Sequence, residues 1–498
     1  MSDIIHVSKV NEAYLRVHCE DKGVLRELSE FFTFRVPGYQ FTPAYKNKIW
    51  DGFIRLYNLN TRQLYVGLYY HLLTFANAEG RGYTVHTDCE IFKDQQIDIN
   101  SYLKEMTVSS RGEMITHHDE QVIAIEHAIN TGRAVLKSPT ASGKSLIIYS
   151  IVKWYLEHHD KKVLIIVPTT SLVSQMFSDF GDYSEFDDSF NNVELCHTIY
   201  SGKEKQSQKR VYISTWQSIY KLEQDYFEQF GCVIGDEAHQ FKAKSLTAIM
   251  TNLVNADYRF GLTGTLDNTQ THKLVLEGLF GPVKTITTTK NLIDQGKLAK
   301  LNITALKLTY PDDVRKLNVK AKYHDEVDFV VRYEPRNRFI ANLALDQTGN
   351  TLVLFQFVEK HGKPLYNMIR ERADKDRKVF YVSGETDAES REQIRALTEK
   401  EKNAIIVASY GCFSTGINIR NLNRIIFSSP SKSQVRILQS IGRGLRKSDD
   451  GSDTILYDII DDLSWKKAEN YCLKHGAERM KIYVKEQFPF KLYEVSIC

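Results

Sequence analysis

At 498 residues the chain is longer than one hydrophobic core usually supports, so two to four domains are expected. Lys and Arg total 65 against 62 Asp and Glu, a formal net charge of +3, which excludes a general polycation and confines any nucleic-acid-binding surface to a local patch. The longest apolar runs, such as Val163–Val167 and Ala404–Ala408, are strand-length, the seven cysteines lack a Cys-x-x-Cys spacing, and Met1–Ile5 carries no signal-peptide pattern, so a soluble protein of a reducing interior is expected, with no membrane span, zinc site or disulfide framework.

Residues 1–105 read as a small α+β module. Ile5–Val10 and Tyr14–Val17 suggest strands, Val24, Leu25, Leu28, Phe31 and Phe32 fall on one helical face, and Pro37-Gly38 marks a turn. Between Tyr39 and Arg62, Lys46, Lys48, Arg55 and Arg62 are interleaved with Tyr39, Tyr45, Trp50, Phe53 and Tyr57. That mixture suits phosphate contact with base stacking and makes Lys46, Lys48, Trp50 and Arg55 candidate nucleic-acid contacts. A half-buried hairpin turning at Trp50-Asp51-Gly52 explains the same pattern.

From about residue 106 the texture changes to alternating strands and helices. Asp119–Asn130 is an amphipathic helix stopped near Gly132, and it leads through the strand Ala134–Leu136 into Ser138-Pro139-Thr140-Ala141-Ser142-Gly143-Lys144-Ser145 and a second helix. Strand, small-residue loop and helix in that order form the setting of a phosphate-binding loop. Its N–H groups would converge on a triphosphate, Lys144 would reach the β/γ-phosphates, and the Ser145 hydroxyl would ligate Mg²⁺. Only Gly143-Lys144-Ser145 matches the pattern strictly, because Ser138 stands where it asks for Gly.

Apolar strands at 163–167, 193–196, 211–214 and 232–235, most followed by helices, imply an α/β domain with a covered parallel sheet and ligands at the carboxyl ends of its strands. The last runs into Asp236-Glu237-Ala238-His239. An acid pair there suits Mg²⁺ handling by Asp236 and orientation and deprotonation of the attacking water by Glu237.

Asp-Glu-Ala-His downstream of this loop resembles the helicases and translocases of the second helicase superfamily, and further segments resemble their other motifs in order. These are Pro168–Gln175, Ser214–Ser218, Leu262–Leu266, Thr351–Phe357, Ala408–Ile419 and Gln439–Arg446. The resemblance implies two RecA-like parallel-sheet motor domains, at 106–285 and 336–465, behind an N-terminal nucleic-acid-binding domain, with a connecting segment 286–335 and a C-terminal extension 466–498. It implies catalysis by Lys144, Glu237 and an arginine finger at Arg443 or Arg446, nucleotide contacts from Gln121, Gly416 and Gln439 besides the loop, coupling through His239, Thr263 and Thr265, and backbone contacts from Thr169, Ser214, Thr215 and Thr415. Asn418 departs from the Asp common at its position.

Between the motors, Leu298–Leu308 reads as a strand. Asp312–Arg338 reads as a helical connection whose Lys316, Lys320, Lys322, Arg332, Arg336 and Arg338 fit a solvated linker as well as DNA contact. Residues 465–498 are amphipathic and show no motif.

An aromatic-basic module ahead of a short motor pair is similar to phage recombination helicases within that superfamily. That likeness implies an ATP- and Mg²⁺-dependent DNA helicase in the host cytoplasm, acting on branched or forked DNA and on RNA–DNA hybrids, without membrane association. A duplex translocase, an RNA helicase of the Asp-Glu-Ala-His group, and a binding or annealing module toggled by ATP share these motifs.

Overall fold

The computed structural model of the chain describes residues 4–241, 243–266, 270–415, 421–445 and 451–497, apart from the side chains at 270, 271, 388, 392 and 413–415. It divides into two units, Met1–Ser138 with Gly143–Ile286, and Thr287–Cys498 with Pro139–Ser142.

The first unit opens with seven short strands: β1 Ile4–Lys9, β2 Tyr14–His18, β3 Thr33–Arg35, β4 Phe53–Arg55, β5 Tyr57–Asn58, β6 Gln63–Tyr65 and β7 Thr84–Thr87. Five form a mixed sheet in the order β5-β6-β2-β1-β7, and β3 and β4 pair as a separate antiparallel hairpin. Asp21 caps the helix Lys22–Phe31, which buries Val24, Leu25 and Leu28 as their spacing requires. This module shares its core with the rest of the first unit. Its buried Ile5, Leu15 and Phe75 belong to the same core as Leu164, Ile166 and Phe280. At the seam, a Cβ on Gly67 would lie 1.8 Å from the Glu277 carbonyl oxygen, and Arg133 pairs with Glu12 across it.

After a two-stranded ribbon, β8 Ser109–Ser110 and β9 Glu113–Met114, a seven-stranded sheet is assembled. Its strands are β10 Arg133–Lys137, β11 Lys162–Val167, β12 Cys196–Ile199, β13 Val211–Thr215, β14 Phe230–Gly235, β15 Tyr258–Thr263 and β16 Val283–Thr285. They lie in the order β12-β13-β11-β14-β15-β10-β16, every pairing parallel. Leu164 and Ile166 of β11 face the core shared with the N-terminal module, while Val163, Ile165 and Val167 face the core that includes the helix Lys144–His158. Burial on both faces is why β11 reads as an unbroken apolar run. Lys137 is in register with Thr263, and Gly235 with Ile166 and Gly261, so the loops after β10, β14 and β15 leave one edge of the sheet.

The second unit contains β17 Leu301–Thr309, β18 Asn350–Phe355, β19 Val379–Val382, β20 Ile405–Ser409, β21 Leu422–Phe427, β22 Thr454–Asp462 and β23 Phe490–Ser496. The order is β19-β20-β18-β21-β22-β17-β23, again all parallel. Two RecA-like sheets and an N-terminal α/β module are therefore present. Strands β17 and β23 come from the segments expected to be connector and C-terminal extension, and both pair within this sheet.

Arg336 is a further correction, because it is not a solvated linker residue. It is fully buried, with its guanidinium on both oxygens of Asp461 at 2.6 and 3.0 Å and on the Ser428 carbonyl at 2.7 Å. Arg479, in the C-terminal helix Tyr471–Lys485, grips Asp458 at 2.8 and 2.9 Å in the same way. The hydroxyls of Tyr310 and Tyr483 donate to Asp461 and Asp458, each at 2.9 Å. Two charges on the interior strand β22 are thereby paired and hydrogen-bonded, which is the condition for keeping them inside a core.

Candidate functional site

The loop after β10 is held at both ends. Ser138 N–H donates to the Thr263 carbonyl at 3.0 Å, and Ser142 closes a turn through its N–H and its hydroxyl, both onto the Pro139 carbonyl at 3.3 and 2.8 Å. Ala141 and Gly143 take left-handed backbone angles, φ 68° and 78°. At Gly143 a side chain has no room, since a Cβ would lie 2.2 Å from Gln121 Nε2. The helix Lys144–His158 starts immediately after it, so the unsatisfied N–H groups of a helix N-terminus meet the loop. Lys144 Nζ donates to the Ser138 carbonyl at 3.4 Å.

Two contacts here escaped sequence reasoning. The Ser145 hydroxyl shares a 2.7 Å hydrogen bond with the hydroxyl of Tyr183, the last residue of the helix Thr170–Tyr183. No motif flags Tyr183, and only folding brings it there. Gln121 is buried in the first turn of the helix Asp119–Thr131, and its Oε1 accepts from His118 N–H at 2.9 Å, so it caps the helix while its amide nitrogen stands beside Gly143.

At the same sheet edge, β14 delivers the acid pair. Asp236 N–H donates to the Ile166 carbonyl at 3.0 Å, and Asp236 Oδ1 accepts from Glu237 N–H at 2.9 Å. Glu237 adopts φ 51°, a left-handed conformation rare for a side-chain-bearing residue and concentrated at functional sites. Burial, then the neighbouring Glu237 charge, push the Asp236 carboxyl up to about 6, against the opposing charge of Lys144. His239 Nδ1 stands 3.3 Å from Glu237 Oε2 and 3.1 Å from the Thr263 hydroxyl. Thr263 in turn donates to the Thr265 carbonyl at 2.8 Å, while the Thr265 hydroxyl is buried without a hydrogen-bond partner among the described residues.

These features fit a nucleotide triphosphate and its metal. The Gly143 backbone forms a cradle that a Cβ would fill, beside a helix N-terminus and a lysine. The oxygen donors Ser145 and Asp236 suit Mg²⁺, which binds through one or two protein oxygens and completes its shell with phosphate and water. Among the described residues no cluster of three or more His, Cys, Asp or Glu offers an all-protein metal cage.

The expected nucleic-acid contacts divide by exposure. Ser214 is fully buried and donates to the Thr215 carbonyl at 3.0 Å; Thr215 is nearly buried and bonds Ser218 at 2.9 Å. Both are buried at the end of β13, where their hydroxyls are bonded within the first unit. Thr169 is half-buried, and its hydroxyl caps the helix Thr170–Tyr183. In the N-terminal module, Lys46 and Lys48 are exposed without a carboxylate partner among the described residues. Arg55 bonds Asp51 at 2.6 Å, and Trp50 Nε1 donates to the Phe53 carbonyl at 2.7 Å. Together they line an open depression of about 820 Å³. The hairpin reading also holds, but β3 and β4 are joined by the whole of 36–52 rather than by a turn at Trp50.

In the second unit, Gln439 and Arg443 lie one turn apart on the helix Gln434–Gly444, Gln439 buried and Arg443 half-buried. Gly416, Arg446 and the Thr415 side chain lie outside the described residues.

Three family models match the chain in order: the N-terminal domain of DNA helicase UvsW at 5–88, the res subunit of type III restriction enzymes at 89–268, and the helicase conserved C-terminal domain at 335–448. The ATP-dependent DNA helicase uvsW of Enterobacteria phage T4 is 35% identical over 508 residues, covering 97% of this chain and 98% of that protein. The chain belongs to the UvsW helicase family. It is accordingly an ATP-hydrolysing enzyme with a helicase motor. The crystal structure of T4 UvsW aligns with all of both chains at TM-score 0.53 and 33% identity. The DNA-bound type ISP restriction-modification enzyme LlaBIII shares the fold alone, at TM-score 0.58 and 16% identity over 86% of this chain and 34% of that one. Among the described residues of this UvsW family member, no helix is long and apolar enough to cross a membrane.

Proposed function

We infer that the protein is an ATP- and Mg²⁺-dependent DNA helicase acting on branched or forked DNA and on RNA–DNA hybrids in the cytoplasm of a phage-infected host. The observation that carries this reading is the full-length likeness to the T4 helicase, which includes the N-terminal module as well as the motor.

The loop 138–145 binds the triphosphate through backbone N–H groups, with Lys144 on the β/γ-phosphates and Gln121 beside the base. Ser145 and Asp236 hold Mg²⁺, which supplies charge neutralisation at the phosphates. Glu237 orients the attacking water and takes its proton; His239, Thr263 and Thr265 relay the state of that carboxylate to the end of β15. Arg443 and Arg446 offset charge on the transferring phosphoryl group, with Gly416 and Gln439 as further nucleotide contacts. Lys46, Lys48, Trp50 and Arg55 engage the branched substrate, and Thr169 and Thr415 its backbone.

The match of 89–268 to a restriction-enzyme motor favours a second reading, a translocase that tracks duplex without parting it. ATP turnover measured without nucleic acid and with single strand, linear duplex, four-way junction and RNA–DNA hybrid, followed by strand separation, discriminates the two. Stimulation and unwinding on the junction are expected. Stimulation by linear duplex with no strand separation would replace the helicase reading with the translocase.

A further inference from the structure

The seven Lys and Arg residues between 312 and 338 fall into two groups in the second unit, Arg315 being paired with Asp312. Arg336 is buried on Asp461, Arg338 pairs with Glu334 at 2.5 Å, and Arg332 with Asp328 at 2.9 Å. Lys316, Lys320 and Lys322 meet no carboxylate among the described residues and are exposed. They gather instead with three lysines from the end of the chain. Lys466 and Lys467 lie in the loop after β22, Lys474 lies on the helix Tyr471–Lys485, and all three are exposed and equally without a carboxylate.

The two segments are physically joined. The Trp465 ring lies 4.8 Å from Lys316 Nζ and 5.5 Å from the Arg315 guanidinium. Tyr323 packs edge-on against Tyr471 with ring centroids 5.7 Å apart. Lys320, Tyr471 and Lys474 line one depression of about 300 Å³. Against these six lysines stand the exposed acids Asp313, Asp325 and Glu469; Asp312 is occupied by Arg315, and Glu326 is buried on the N-terminus of the helix Tyr471–Lys485. Tyr323 and Tyr471 remain 37% and 44% exposed.

Lysines around open aromatic faces suit a single strand: ammonium groups take the phosphates, and rings take bases that a duplex would keep stacked inside. The location agrees. The loop after β22 and the segment Gln356-Phe357 after β18 leave the same edge of a parallel sheet, and Tyr323 lines a cavity of about 950 Å³ together with Gln356 and Phe357. We propose that segments 315–323 and 465–474 form a binding surface for single-stranded DNA, with Tyr323 and Tyr471 as stacking platforms and the six lysines as phosphate contacts. The proposal rests on the helicase reading, because a strand-separating motor is what generates the unpaired strand.

The test is fluorescence anisotropy of a labelled oligothymidine titrated with the full chain at several salt concentrations. Joint substitution of Lys320, Lys322, Lys466 and Lys467 by Ala should weaken binding at least about tenfold and lower the slope of log affinity against log salt by about 2 to 3, at about 0.7 per lost contact. The thermal unfolding midpoint checks that the variant is folded. Tyr471→Ala should lose about tenfold and Tyr471→Phe should recover it, since Phe keeps the stacking face. Unchanged affinity and slope in the lysine variant, with wild type binding, would overturn the surface while leaving the helicase reading intact. Failure of the wild type to bind the oligonucleotide would also overturn the surface, while the junction assay tests the helicase reading separately. A loss on linear duplex as large as that on single strand would overturn the single-strand assignment.

Discussion

His239 Nδ1 lies 3.1 Å from the hydroxyl of Thr263. Because that hydroxyl donates its own hydrogen to the Thr265 carbonyl, His239 is the donor. The Thr263 carbonyl meanwhile accepts from Ser138 N–H, so Thr263 touches His239 with its side chain and the start of the loop 138–145 with its backbone. Thr263→Val removes the hydroxyl's bonds to His239 and Thr265 and keeps the backbone contact with Ser138. Nucleotide affinity should stay within about twofold, and nucleic-acid-stimulated turnover should fall about tenfold, the worth of one buried hydrogen bond. Equal losses in both would make Thr263 a binding residue rather than a relay.

Glu237→Gln keeps the shape of the site and removes the carboxylate proposed as the base. Turnover should drop by about 10² to 10⁴ with ATP binding retained. Single-turnover hydrolysis alongside equilibrium nucleotide binding measures both. Near-normal hydrolysis would return the catalytic role to another group.

The Arg336–Asp461 pair predicts an asymmetry. Arg336→Met leaves a buried carboxylate with Tyr310 as its one remaining donor among the described residues and should cost about 3 to 5 kcal/mol of stability. Replacing Asp461 by Leu in the same chain should recover most of it, because no uncompensated charge remains. Denaturant unfolding of the two variants reads the difference; equal destabilisation would mean that packing, not charge, dominates there.

A pH effect arises at His117, whose Nε2 lies 2.7 Å from the Ser150 hydroxyl. Burial, then the neighbouring His118, lower its pKa from 6.5 to about 4. Between those values the unfolded chain binds a proton that the native chain refuses. Stability from this residue is therefore full above pH 6.5 and is lost as pH falls towards 4. With its partial exposure allowed for, the loss should be on the order of 2 kcal/mol. His117→Gln should flatten the stability profile across that window, and an unchanged profile would place the titration elsewhere.

Substituting Lys46, Lys48 and Arg55 together by Ala should weaken junction binding and reduce its salt slope by about 2, at about 0.9 per duplex phosphate contact. The reduction falls short of three contacts because Arg55 is already held by Asp51. An unchanged slope would leave the patch as the surface of a folded hairpin.

What could be read from the chain alone was whatever depends on neighbours in sequence. Gly143, Lys144 and Ser145 side by side between a strand and a helix, and an acid pair at the end of a strand, are local arrangements, and the structure has both where the sequence places them. The doubly buried strands announced themselves because a parallel sheet covered on both faces tolerates few polar residues. Tertiary pairing decided the rest. Periodicity marks β17 as a strand but cannot say that it lies between β22 and β23, more than a hundred residues downstream. Composition shows Arg336 and Lys320 as two cations of one basic segment; only the fold puts Asp461 within reach of the first and leaves the second in solvent beside Tyr471. Ser214 and Thr215 carry hydroxyls in the motif the resemblance names, and only the fold shows both buried and bonded within the first unit. A motif specifies chemistry through residue type and spacing; whether a side chain meets solvent, a partner or a ligand is settled by contacts between segments far apart in the chain.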